Sequence, residues 1–142
     1  MKNNIVRLTL FLAVVSAVAG GALAFANDLT APVIAANAEK AEKQTLLEMY
    51  PDADLSEFET VKDEAILNDN PEIETIYKYK DGIVIFKCSV GGFDGGTVFL
   101  VAINSEDDTV DSFQAISNGD TQGIGSKIKE DAFKESVKGK KA

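Results

Sequence analysis

Hydrophobic and polar positions divide the chain into three regimes. From Leu8 to Ala26 every residue is apolar except Thr9, Ser16 and the Gly20-Gly21 pair. At the helical rise, this run just crosses a hydrocarbon core of about 30 Å. Next comes a 3.6-residue period. Ile34, Ala38, Ala41 and Thr45 fall on one stripe, which Leu46, Leu47, Met49 and Tyr50 widen. The spacing predicts a helix over 31–50, with Thr30 as N-cap, Pro32 in its first turn and Pro51 as its stop. That helix is free to run on from the apolar run with a bend at Pro32. The period then falls to two. Residues 73–80 alternate, Asp81-Gly82 signals a tight hairpin, and 83–90, 97–104 and 110–117 read as further strands. A last helix is predicted over 130–137, with Phe133 and Val137 one turn apart on its buried side. The expected fold class is α+β: an N-terminal transmembrane helix, a second helix, a four-stranded mostly antiparallel sheet and a C-terminal helix.

Composition sharpens this picture. The 142 residues hold 14 Lys+Arg, 23 Asp+Glu, no His and one Cys. Without His there is no Ser-His-Asp or Cys-His nucleophile and no His-ligated zinc. One Cys excludes an internal disulfide and a cysteine-ligated metal cluster. No acidic residue precedes Asp28, so residues 28–142 carry a net charge of −11. Such a surface excludes a phosphate-tracking nucleic-acid binder. Lys2 and Arg7 before the apolar run, with Asp28 after it, place the N-terminus in the cytoplasm and the acidic portion outside. Ala22-Leu23-Ala24 and Ala24-Phe25-Ala26 have the form of signal-peptide cleavage sites, so residues 1–27 read as either a membrane anchor or a signal peptide.

Candidate chemistry is sparse. Residues 52–74 set nine carboxylates against Lys62 alone. They lack the loop spacing of an EF-hand and read as a solvated face, not a calcium site. Residues 91–96 hold four Gly, suited either to a close backbone approach or to a bulged hairpin connection. Asp120, Thr121, Gln122, Gly123, Ile124, Gly125, Ser126 and Lys127 combine Gly, hydroxyl and Lys groups before a helix. These are the parts of an anion cradle and equally of an ordinary loop. They match neither a dinucleotide fingerprint nor a P-loop. Cys88 alternates with Phe86 and Val90 and reads as a buried structural thiol.

Taken in order, these stretches resemble a family. Residues 23–34 are similar to the stretch by which the FMN-binding G component of the Rnf electron-transport complex leaves the membrane. The C component of the Na⁺-translocating NADH:quinone reductase is its relative. Leu46-Leu47-Glu48-Met49-Tyr50-Pro51-Asp52-Ala53 resembles the family's helix closing on Leu-Pro-Gly-Ala, and residues 91–96 its Gly-aromatic-x-Gly turn. Residues 120–128, then Phe133 and Lys138-Gly139-Lys140, resemble E-T-P-G-L-G-x-K-I and the ending after it, with Asp120 for Glu and Gln122 for Pro.

The resemblance implies an FMN-binding-type domain over 28–142 and an uncleaved, single-pass anchor over 1–27. It implies an electron-carrier subunit, not catalytic alone, of a membrane complex that couples ferredoxin and NAD to ion translocation. Its partners would be the other subunits and the lipid bilayer. Residues 120–127 would line the flavin or its phosphate. The family attaches FMN covalently through a Thr in an S-G-A-T-x-[ST] segment, and this chain reaches Ala142 before that segment's expected place. The expectation is therefore of a sequence truncated at its C-terminus relative to the family, or of a short variant binding flavin weakly or not at all. The alternative function is a cofactor-free exported binding or assembly module on the same scaffold.

Overall fold

The computed structural model describes residues 2–80, 82–92, 95–123 and 125–142, and the chain divides into two units, Met1–Lys40 and Ala41–Ala142. One helix, α1 (Lys2–Met49), enters both. It runs on from the apolar segment through Pro32, as the sequence allowed, and no separate helix starts at Thr30. Thr30 is no N-cap: its hydroxyl donates to the Ala26 carbonyl at 3.0 Å, one turn back within the helix. Pro32 lies inside α1, where its missing N–H leaves the Asp28 carbonyl without its usual i+4 donor.

Within Met1–Lys40, the helix buries none of its apolar window, whose mean hydropathy is 2.2. Phe11 and Leu12 are each more than three-fifths exposed. This part of α1 is long and apolar enough to cross a membrane.

The second unit is a meander. After a 3₁₀ turn (Leu55–Glu57) come β1 (Glu59–Val61), α2 (Glu64–Asp69), β2 (Ile73–Tyr79), β3 (Ile83–Gly91), β4 (Gly96–Asn104) and β5 (Thr109–Asn118). A second 3₁₀ segment (Gly125–Lys129) and α3 (Asp131–Val137) complete it. The sheet has five strands, in the order β1-β2-β3-β4-β5, with every pairing antiparallel. The expectation of four strands missed β1, a three-residue edge strand inside the acidic segment.

That segment is more than a solvated face. The Asp54 carboxylate accepts from the Ser56 N–H at 2.9 Å and closes a capping box with Glu57. The Asp63 carboxylate accepts from the N–H groups of Ala65 and Ile66 and so starts α2. Short acidic side chains at these positions satisfy backbone donors that a helix end leaves open.

Register sets the two faces of the sheet. Ile85 stands opposite Tyr77 and Ala102, and Lys87 opposite Thr75 and Leu100. Ile83, Ile85, Leu100 and Ala102 therefore share a face, which Leu46 and Phe58 close into the core. Ile85, Leu100 and Ala102 have no accessible surface. Tyr79 packs between Tyr50 and Phe58, with ring centroids 4.7 and 4.8 Å away. Phe86, Cys88, Phe99 and Val101 point to the other face, where Phe113 lies 5.2 Å from Phe99 and 5.3 Å from Phe133 of α3. Cys88 is thus half-buried on this second face and not in the main core.

The β2–β3 connection is longer than a two-residue hairpin. Tyr79 pairs with Ile83, and Gly82 takes φ +73°, a left-handed conformation that glycine adopts without a Cβ clash. Asp81 of the predicted hairpin lies outside the described residues.

Candidate functional site

The two glycine-rich stretches singled out from the sequence come together. Thr97 pairs with Asn118 at the last rung of the β4–β5 ladder, and the Gly119 N–H donates to the Gly96 carbonyl at 3.0 Å. This brings the β3–β4 turn against the loop that follows β5. Glycine permits the contact: a Cβ on Gly95 would sit 2.9 Å from Gly119 Cα, and one on Gly92 or Gly125 would overlap Asp120. The close approach therefore serves packing between two loops.

Asn118 knits the junction. Its side-chain amide donates to Thr97 Oγ1 at 3.0 Å and to the Gly125 carbonyl at 3.3 Å, while its Oδ1 accepts from the Asp120 N–H at 3.0 Å. The Gly125 N–H donates to the Thr121 carbonyl at 3.1 Å, and the Gly123 N–H to Ser126 Oγ at 2.9 Å. Thr121, Gln122, Gly123 and Lys127 are exposed, and Asp120, Gly125 and Ser126 half-buried. Ile124 of the candidate set, like Phe93 and Asp94 of the facing turn, lies outside the described residues. Gly123 adopts φ +83° with open space around it. Sequence reading singled out both stretches but not Asn118, whose role depends on its register opposite Thr97.

A phosphate cradle needs convergent backbone N–H groups and no competing negative charge. Here the N–H groups of Gly119, Asp120, Gly123 and Gly125 all donate within the two loops, and Asp120 fills the space beside Gly92 and Gly125. In this arrangement those four N–H groups are engaged within the protein and do not converge on a phosphate.

A second polar cluster lies where α1 meets the sheet, and sequence reading missed it. Glu42 is 8% exposed. One of its carboxylate oxygens accepts from the Tyr77 hydroxyl, and the other from Lys87 Nζ at 2.9 Å. Lys87 also reaches Glu74 at 3.0 Å. Burial alone would lower the pKa of the Lys87 ammonium, but hydrogen bonds to Glu42 and Glu74 outweigh it and hold the pKa above its ordinary value. Nearby, the Tyr50 hydroxyl donates to Asp111 Oδ2 at 2.6 Å, and burial followed by this carboxylate pushes its pKa well above the phenol range. Burial, then the charges of Glu72 and Glu74, likewise raises the Cys88 thiol. Glu42 and Lys87 lie 45 residues apart, so only tertiary contact shows them as a pair.

Among the described residues, no group of three acidic or cysteine side chains is placed to hold a metal ion. The arrangement therefore presents a loop junction closed by its own hydrogen bonds and a buried ion-pair network.

No curated protein matches the chain. Residues 1–49, about a third of the sequence and corresponding to α1, match the family model for the N-terminal region of RnfG.

Proposed function

We propose that the chain is a membrane-anchored subunit of an Rnf-type electron-transport complex, of the RnfG kind. The observation that carries this reading is the family match over residues 1–49, the same residues that form the long apolar helix. The exposed apolar surface of residues 8–26 supports it, because large side chains such as Phe11 and Leu12 are stable in lipid and costly in water. The acidic unit then lies on the extracytoplasmic side, and its partners are the other subunits and the bilayer.

At the finer level, the resemblance implies that the unit carries FMN as an electron relay. When bound, the flavin would supply the redox chemistry. The closed loop at residues 120–127 favours the alternative, a cofactor-free binding or assembly module on this scaffold, because the N–H donors described for that loop are engaged and Asp120 fills its interior. The full-length protein, expressed with its neighbouring subunits and purified in neutral detergent, tests both levels. Co-purification with those subunits is expected, and its failure would overturn the subunit assignment. Absence of flavin absorbance is expected from the isolated protein. Stoichiometric FMN would overturn the cofactor-free reading while leaving the subunit assignment intact.

A further inference from the structure

We propose that the outer edge of β5 is a docking groove for an extended, acidic peptide segment of another protein, which joins the sheet as an additional strand. The inference goes beyond the subunit assignment and does not depend on it.

β5 is the last strand in the sheet order, and among the described residues its outer side has backbone partners only at its beginning. There residues 139–141 lie alongside it. The Val110 N–H donates to the Lys140 carbonyl at 2.8 Å, the Gly139 N–H to the Val110 carbonyl at 2.7 Å, and Thr109 bridges to Lys141. The edge is therefore shaped to accept a strand. From Ser112 to Ser117, among the described residues, no backbone hydrogen bond joins β5 to anything but β4. An open ladder of this kind is a template for strand addition.

Part of the open stretch lines a cleft. Ser112, Phe113 and Gln114 border a polar cleft of about 210 Å³ together with Glu48 and Met49 at the end of α1, Lys134 and Glu135 of α3, and its C-cap Lys138. Gln114 Nε2 donates to Glu48 Oε2 at 3.1 Å, which holds the α1 side of the cleft in place.

Charge selects the occupant. Residues 127–142 carry six Lys against three acidic residues, whereas residues 28–126 carry six Lys against twenty acidic ones. The basic end is the part of the sequence that lines this edge: the 3₁₀ segment contacts β5, α3 forms one wall, and Lys140 and Lys141 pair with its start. Lys127, Lys129, Lys138, Lys140 and Lys141 are exposed and make no ion pair among the described residues. Within the cleft Glu48 and Glu135 stand beside Lys134 and Lys138, so the selecting charge comes from the lysines that flank it. A lipid surface has no backbone to complete the ladder. An extended peptide bearing carboxylates satisfies both features, with about six residues spanning the open stretch of roughly 20 Å.

The test uses the full-length protein in neutral detergent and a fluorescein-labelled peptide of about eight residues alternating Glu with Val and Thr, long enough to cover the open edge. Two control peptides replace Glu by Lys or place Pro at the central positions without changing the net charge. The acidic peptide is expected to bind saturably by fluorescence anisotropy at low salt and to weaken about tenfold at high salt. The Pro peptide is expected to lose binding, because it cannot donate to the ladder. A Lys129→Glu/Lys138→Glu variant, altered only at exposed positions, is expected to keep its circular dichroism spectrum and bind about tenfold more weakly. Equal binding by the Pro or Lys peptide overturns the proposal, as does no binding at low salt. So does binding confined to vesicles of anionic phospholipid, or an edge occupied by a second copy of the protein.

Discussion

The network around Glu42 makes a directional prediction. Lys87 has two carboxylate partners, Glu42 at 2.9 Å and Glu74 at 3.0 Å, whereas Glu42 has, among the described residues, Lys87 as its cationic partner and Tyr77 as a neutral one. The Glu42 and Lys87 side chains are 11% and 16% exposed. Lys87→Met strands a buried carboxylate and is expected to cost about 3 kcal/mol, the low end for breaking a buried pair because some water remains. Glu42→Gln leaves Lys87 paired to Glu74 and keeps a hydrogen-bonding side chain of the same shape, so it is expected to cost about 1 kcal/mol. The double variant should fall short of the sum by about 1 kcal/mol, since removing both charges leaves nothing stranded. The assay is urea unfolding of the full-length protein in neutral detergent, followed by near-ultraviolet circular dichroism. Tyr50, Tyr77 and Tyr79 all lie near this face of the sheet and report it directly. At slopes usual for a unit of this size, the Lys87→Met midpoint should drop by about 2 M. Equal or greater damage from Glu42→Gln, or strict additivity in the double variant, would refute the argument.

Other outcomes follow from the same contacts. Leu46→Ala, at a position 2% exposed, should cost about 2–5 kcal/mol in the same unfolding assay. Gly125→Ala should loosen the loop junction and speed hydrogen exchange at the Gly119 N–H, and adding Asp120→Gly, which removes the atoms its Cβ would overlap, should restore protection. Stability should fall as pH rises above about 10, because the unfolded protein then releases protons from Tyr50 and Lys87 that the folded state still holds. Tyr50→Phe should flatten part of that decline in pH-dependent melting. Cys88, with its thiol raised by burial, should alkylate more slowly at pH about 8 than a free cysteine peptide, and urea should abolish the difference.

Elements with a sustained period were legible in the sequence. The four long strands and α3 lie within a residue or two of their predicted bounds, since burial of one face imposes a period of two or 3.6 on many residues at once. Elements that depend on a few residues were not. β1 is three residues long, and its strand character comes from pairing Glu59, Thr60 and Val61 with β2. The helix start expected at Thr30 reflects a local preference that continuation of α1 overrides, with the Thr30 hydroxyl turned back to Ala26. Cys88 does share a face with Phe86, as alternation implied, but it is half-buried there, because alternation groups residues by face without telling how deeply each face is covered.

Sequence alone determined that this protein has a membrane-length apolar segment, an acidic α+β unit and no histidine chemistry, because these follow from composition and period. It also marked residues 91–96 and 120–127 as unusual. Tertiary structure decided what those residues do. The register of Thr97 opposite Asn118 brings the two glycine stretches into contact, so that the backbone N–H groups of Gly119, Asp120, Gly123 and Gly125 are satisfied by the protein itself. The pairing of Glu42 with Lys87 and that of residues 139–141 with the start of β5 have the same origin. Each depends on residues brought together by the order of strands in the sheet, which no local pattern encodes.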